Sequence, residues 1–189
     1  MKLPPLFLTA FGLGHLRPAP GTWGSALPAA IALLLVVGLG VNGFSARDGW
    51  IINVVLVLLL LVFSYACLAW GDWAEAWYAK KDPGQVVADE VAGQAIALLA
   101  LPWRAIIDDG GMRWDALLFN TIAAATAFLA FRLFDITKPP PAQQLQAWPS
   151  GVGILIDDIF AGGYALIATQ LLVRYAWAPL VIAAPAQAG

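Results

Sequence analysis

GWIINVVLVLLLLVFSYACLAWG, Gly49 to Gly71, runs for 23 residues without a charge between Asp48 and Asp72. As a helix rising 1.5 Å per residue it is long enough to cross the ~30 Å hydrocarbon core of a bilayer. Working outward, 29 uncharged residues lie between Arg17 and Arg47, enough for a second crossing. Three later uncharged runs, Val91–Trp103, Ala116–Phe131 and Ile159–Val173, hold 13, 16 and 15 residues. Each falls short of the ~17–25 residues of a crossing unless flanking charges snorkel or enter a protected site. The composition agrees: 61% of the 189 residues are hydrophobic and mean hydropathy is +0.77. Only 10 basic and 12 acidic residues are present, well under the ~25% charged residues of a soluble domain. The expected fold is an all-α polytopic membrane bundle, one domain over residues 1–189, with about five transmembrane or partly re-entrant helices.

Breakers and caps divide the chain further. A Gly/Pro-rich segment reaches Gly24, helix one is expected over about Ser25–Val41, and Asn42-Gly43 and Asp48-Gly49 form a turn. Helix two covers about Trp50–Lys80 and projects from the membrane, because Asp72, Glu75, Lys80 and Lys81 crowd its end. Lys81-Asp82-Pro83-Gly84 stops it. Helix three is expected over about Val86–Leu101, helix four over about Asp115–Asp135, and helix five from about Ile156 to Tyr175. The Arg104–Asp115 link carries Gly110-Gly111, and a loop with Gln143, Gln144 and Gln146 precedes helix five. The N-terminus does not read as a cleavable signal, since one lysine precedes a short apolar run broken by Pro4, Pro5, Gly12 and Gly14. Cys67, the single cysteine, reads as a small apolar core residue. A net charge of −2 without a basic stripe excludes nucleic acid as the expected partner, and nothing sets the oligomeric state.

With the N-terminus inside and five crossings, Lys2, Arg17, Lys80, Lys81, Arg132 and Lys138 lie on the cytoplasmic side. Arg47, Arg104, Arg113 and Arg174 lie outside, a bias of the positive-inside sign. This arrangement brings four polar clusters to one face. Asp89-Glu90 opens helix three, with Gly93 leaving space beside both acids. Helix capping by the macrodipole explains one acid there more readily than two. Asp157-Asp158, expected at the start of helix five, repeats the pattern beside Ala161 and Gly162. Four carboxylates at one membrane face repel one another and need protons or cations. An all-oxygen set suits Mg²⁺ or Mn²⁺ rather than Zn²⁺.

Arg132 and Asp135, three residues apart, share a face of helix four, while Pro139 directs Lys138 out of helical geometry. A guanidinium beside an aspartate can grip phosphate bidentately; Lys138 alone also suits a snorkelling helix end. In GLGHLRPAPGTWGSA, Gly12 to Ala26, Gly21 and Gly24 allow close backbone approach and Thr22 and Ser25 offer hydroxyls. Ser25 can cap helix one, leaving N–H groups suited to an anion; His15 reads equally as an interfacial side chain. Cation-binding carboxylates with Arg17, Arg132 and Lys138 describe a site for a phosphorylated, membrane-embedded substrate.

At PAPGTWGS (Pro18–Ser25), ADEVAG (Ala88–Gly93), FRLFDITKP (Phe131–Pro139) and GVGILIDDIFAG (Gly151–Gly162) the chain resembles the phosphatidylglycerophosphatase A family. These bacterial inner-membrane enzymes remove the terminal phosphate of phosphatidylglycerophosphate. The resemblance implies a multi-pass Mg²⁺-dependent hydrolase acting at the cytoplasmic side among membrane lipids. It makes Asp89, Glu90, Asp157 and Asp158 candidate metal ligands, with Asp89, Asp135 and Asp158 as candidate catalytic acids. Arg132, Asp135 and Lys138 become candidate phosphate-site residues, with Thr22 and Ser25 lining the entrance, and Arg17, just ahead of the first matched block, is a further candidate phosphate-binding residue on its charge. Attack by water, with one Asp as base, and attack by an Asp through an acyl phosphate both use these residue types. Metal coordination explains clustered acids better and favours water.

Rival classes fit less well. Lipid phosphatases with a histidine nucleophile need at least two histidines, and Pro149-Ser150-Gly151 is followed by Val152. The aspartate spacing of CDP-alcohol phosphotransferases is missing. A cation- or proton-coupled carrier would place acids near the midplane on broken helices, often in two related halves, and no repeat is present. A purely structural subunit would need capping and pairing to account for every acid.

Overall fold

The computed structural model describes residues 6–41, 49–108, 110–145, 148 and 150–179. The expectations for Lys2, Asn42-Gly43, Arg47, Asp48 and Gln146 lie outside them. A short 3-10 turn, Leu13–His15, precedes α1 (Pro20–Val41), α2 (Gly49–Tyr78) and α3 (Ala88–Ala97). Strands β1 (Ile107–Asp108) and β2 (Gly111–Met112) form a small antiparallel hairpin within the Arg104–Asp115 link. Then come α4 (Trp114–Thr137), the single turn α5 (Ala142–Leu145) and α6 (Ser150–Leu171), which continues as a wider π-helical stretch, Leu172–Trp177. The chain is an all-α membrane bundle. Helices α1, α2, α4 and α6 with its continuation are long and apolar enough to span.

α3 departs most from expectation. Ten residues at 1.5 Å make about 15 Å, half a membrane. The chain beyond it nevertheless stays within the bundle. Val87 packs on Gly24 near the start of α1 and Ile106 packs on Gly40 near its end, so residues 87–106 run the length of α1. The helix stops at Ala97 because Pro102 disfavours helical geometry at Leu101 and because neighbouring side chains take over the freed backbone. Asn53 Oδ1 accepts from the Ala100 N–H at 2.7 Å, and Gln170 Nε2 donates to the Leu99 carbonyl at 2.8 Å. Asn120 accepts from the Arg104 N–H at 2.9 Å and donates to the Arg104 carbonyl at 2.8 Å. Arg174 donates to the Ala100 carbonyl. Irregular backbone at membrane depth is tolerated only where protein satisfies it in this way.

Two helix starts are corrected. α1 begins at Pro20, suited by its fixed φ to a first helical position, so Ser25 is inside the helix and its hydroxyl donates to the Gly21 carbonyl at 2.7 Å instead of capping. α6 begins at Ser150 rather than Ile156, which moves Asp157 and Asp158 from a helix start into the second and third turns. Glycines serve as helix contact points: Gly151 lies on the Cys67 carbonyl and Gly71 on the Gly151 backbone. Small residues let helices approach closely where no hydrophobic drive acts between them in lipid. α3 exploits this most, with Ala88, Ala92, Gly93, Ala95 and Ala97 buried among α1, α2, α4 and α6.

Candidate active site

The crossing of α3 and α6 builds the site. A Cβ on Gly93 would sit 2.6 Å from the Asp158 carbonyl, and one on Gly162 2.5 Å from the Gly93 carbonyl. Gly93 follows Asp89 by four residues and Gly162 follows Asp158 by four. Each acid therefore lies one turn from the contact, on the contact side of its helix. Asp89, Glu90 and Asp158 accordingly each bring a carboxylate oxygen within 4.8 Å of the other two. Asp89 Oδ1, Glu90 Oε2 and Asp158 Oδ2 are buried without a hydrogen-bond partner. These three carboxylates are the residues that could hold a hard divalent cation, whose ligands are oxygens.

The remaining residues ring this trio. Arg132 on α4 pairs with Asp135 at 2.5 Å and donates to Ser25 Oγ at 3.4 Å. A Cβ on Gly21 would collide with Glu90 Oε1 and lie 3.1 Å from Arg132 Nη1, so this glycine lets the start of α1 close over both. Thr22, half-buried, is next to it on the first turn. Lys138 leaves helical geometry ahead of Pro139 as expected, capping α4 in the left-handed region at φ 43°, and its Nζ reaches Asp157 Oδ2 at 2.5 Å. Burial pulls the Lys138 pKa down, but the hydrogen bond it donates to Asp157 and the charges of Asp157, Asp158 and Asp135 outweigh it and hold the ammonium above the ordinary lysine value.

Of the four acids expected to hold a metal, three meet and Asp157 stands beside them, committed to Lys138. Asp135 lies within hydrogen-bonding reach of Asp158. Arg17 is not brought to the acids; it is exposed and lines a neighbouring cleft with His15 and Lys80. Two residues escaped the sequence reading. Asp82, read only as part of a stop signal, is close enough to add negative potential at Asp89 and Asp157. Gln94 is fully buried with both amide atoms unpartnered. It follows Glu90 by four residues, and its side chain leans back toward that turn; the i,i+4 spacing in ADEVAGQ was the available signal. Five acids against Arg132 and Lys138 leave −3 if all ionise, which a buried site sustains only with cations or protons.

Fold and site together define a polytopic membrane protein whose helix ends enclose a buried carboxylate cluster fronted by two cations. The phosphatidylglycerophosphatase A family (PgpA) matches residues 6–173, and the chain belongs to it. It is 34% identical over 163 residues to phosphatidylglycerophosphatase A of Haemophilus influenzae, covering 86% of this chain and 83% of that one. A Bacteroides thetaiotaomicron protein provisionally named a phosphatidylinositol-3-phosphatase is 33% identical over 165 residues, 87% and 90% of the two chains. Phosphatidylglycerophosphatase A of Escherichia coli K12 is 28% identical over 158 residues, 83% and 76%. No solved structure shows significant similarity to the chain. Membership makes the protein a lipid phosphatase.

Proposed function

We propose that the protein hydrolyses the terminal phosphate monoester of phosphatidylglycerophosphate to phosphatidylglycerol and inorganic phosphate, at the cytoplasmic face of a bacterial inner membrane, with Mg²⁺ or Mn²⁺ as cofactor. The observation that carries this reading is the trio of orphaned carboxylate oxygens on Asp89, Glu90 and Asp158, set beside Arg132 and Lys138. A divalent cation bound by the trio would supply Lewis-acid neutralisation of charge on the phosphoryl oxygens. Arg132 and Lys138 grip the same phosphate, the guanidinium as a fork and the ammonium as a point charge. Asp135 and Asp157 orient these two cations through their ion pairs. A water attacks phosphorus as the bond to the glycerol oxygen breaks. Asp135, near Asp158 but held by Arg132, accepts the proton of that water and passes it to the departing alkoxide, which leaves as the free hydroxyl while Asp135 returns to the carboxylate.

The test is phosphate release by the purified protein in mixed micelles, before and after chelation. Release that is lost with chelator and restored by Mg²⁺ or Mn²⁺ is expected; release indifferent to chelation ends the metal role. Cation transport without hydrolysis would instead support a carrier. Because one relative is named for an inositol lipid, phosphatidylinositol 3-phosphate belongs in the same assay, and faster release from it would move the head-group assignment.

A further inference from the structure

A second concavity, about 310 Å³, opens one residue from Gly21 and shares Pro20 with the start of α1. One wall is the stretch from Gly14 to Pro20, and the other is the turn that joins α2 to α3, from Lys80 to Gln85. The walls are locked together: the Val87 N–H donates to the Leu8 carbonyl at 2.9 Å, and Gly14 lies so close to the Gln85 carbonyl that a Cβ has no room. His15, Arg17 and Lys80 line the cleft, and no acid does. Among the described residues, no carboxylate comes within 4.0 Å of the charge of Arg17 or Lys80. In a chain of net charge −2, two cations 63 positions apart in sequence thus converge on one polar cleft with no counter-ion among the described residues.

We infer that this cleft binds the phosphodiester of the lipid whose terminal monoester is held at Arg132 and Lys138. The inference rests on the lipid phosphatase reading above and deepens it. Phosphatidylglycerophosphate carries two phosphate groups joined through one glycerol, and a phosphorylated inositol lipid likewise carries a diester and a monoester. The acid cluster answers the dianionic group that needs a cation and a proton acceptor. A cleft with donors and no acids answers the singly charged diester, which must be held but left intact. The Arg17 fork matches two non-bridging phosphate oxygens, and Lys80 adds a point charge. Pro20 and Gly21 place the cleft against Glu90 and Arg132, so one head group can reach both. Arg17, distant from the acids, then selects the substrate: phosphatidic acid, whose one phosphate is a monoester on diacylglycerol, cannot fill cleft and cluster together.

The test compares phosphatidylglycerophosphate with phosphatidic acid of identical chains in mixed micelles, using the full-length protein and its Arg17→Gln/Lys80→Gln variant. Charge-assisted hydrogen bonds of this kind shift affinity about tenfold or more. The ratio of kcat/KM for the diester-bearing lipid over phosphatidic acid is expected to fall by about that factor in the variant. An unchanged ratio, or a wild-type ratio near unity, overturns the inference. Inorganic phosphate as inhibitor separates the other source of the same chemistry: weaker inhibition with an unchanged ratio would assign the cleft to released phosphate instead. If the double variant does not fold, Lys80→Gln alone gives the same reading with a smaller change. A wild type that hydrolyses neither lipid refutes the parent reading, which is a different failure.

Discussion

Two polar layers interrupt this apolar bundle, and they are built on opposite rules. Around residues 99–104, Asn53, Asn120, Gln170 and Arg174 each close hydrogen bonds on a broken backbone. At the other end of α3, Asp89, Glu90, Asp157, Asp158 and Gln94 keep buried polar atoms that no group among the described residues satisfies. The amide layer has its own exceptions, Trp103 Nε1 and Thr169 Oγ1, but both are neutral single atoms. An unpaired buried polar atom costs about 1–3 kcal/mol, more when charged, so a cluster of them persists where a ligand repays it. Polarity that is internally satisfied holds the fold, and polarity left unsatisfied marks the chemistry.

The contrast can be broken by substitution. The largest effect is expected from Asp89→Asn and Asp158→Asn, each reducing phosphate release by about 100-fold or more through loss of a charge on the cation. Thermal unfolding should stay level or rise, because each removes one of several repelling acids; a matching loss of stability would make these residues structural. Next is Gly162→Ala, whose methyl meets the Gly93 carbonyl at 2.5 Å. Forcing α3 from α6 is expected to cost about 1–3 kcal/mol and also to lower activity, since both helices carry the acids. Asn120→Leu should cost about 1–2 kcal/mol in denaturant unfolding by freeing both Arg104 backbone groups, while activity per folded molecule stays within about twofold. The smallest effect belongs to Arg113→Ala. Its pairs with Asp108 and Asp115 lie at the surface, and exposed ion pairs contribute within about 0.5 kcal/mol.

The sequence carried the acid layer better than the amide layer, for a physical reason. Charges inside apolar runs stand out against composition, so Asp89, Glu90, Arg132, Asp135, Lys138, Asp157 and Asp158 were legible, as was the departure of Lys138 from helical geometry ahead of Pro139. Their grouping was legible only in part: Asp157 pairs with Lys138 instead of joining the trio, and α6 starts at Ser150 rather than near Ile156. Asn53, Asn120 and Gln170 are single neutral residues in spanning helices, and their role depends on a neighbour 47, 16 and 71 positions away. No local pattern encodes such a partner. The shortness of α3 had a related origin: helix was expected to Leu101, and it ends at Ala97 because Pro102 and those distant amides together open the backbone beyond it.

Binding of Mn²⁺ to the purified protein, followed by electron paramagnetic resonance without any substrate, tests the difference between the layers most directly. Wild type and Asn120→Leu should both bind the ion, while Asp158→Asn should weaken binding by at least about tenfold. Equal affinity in all three proteins, or no saturable binding to the wild type, would contradict the assignment of the carboxylate trio.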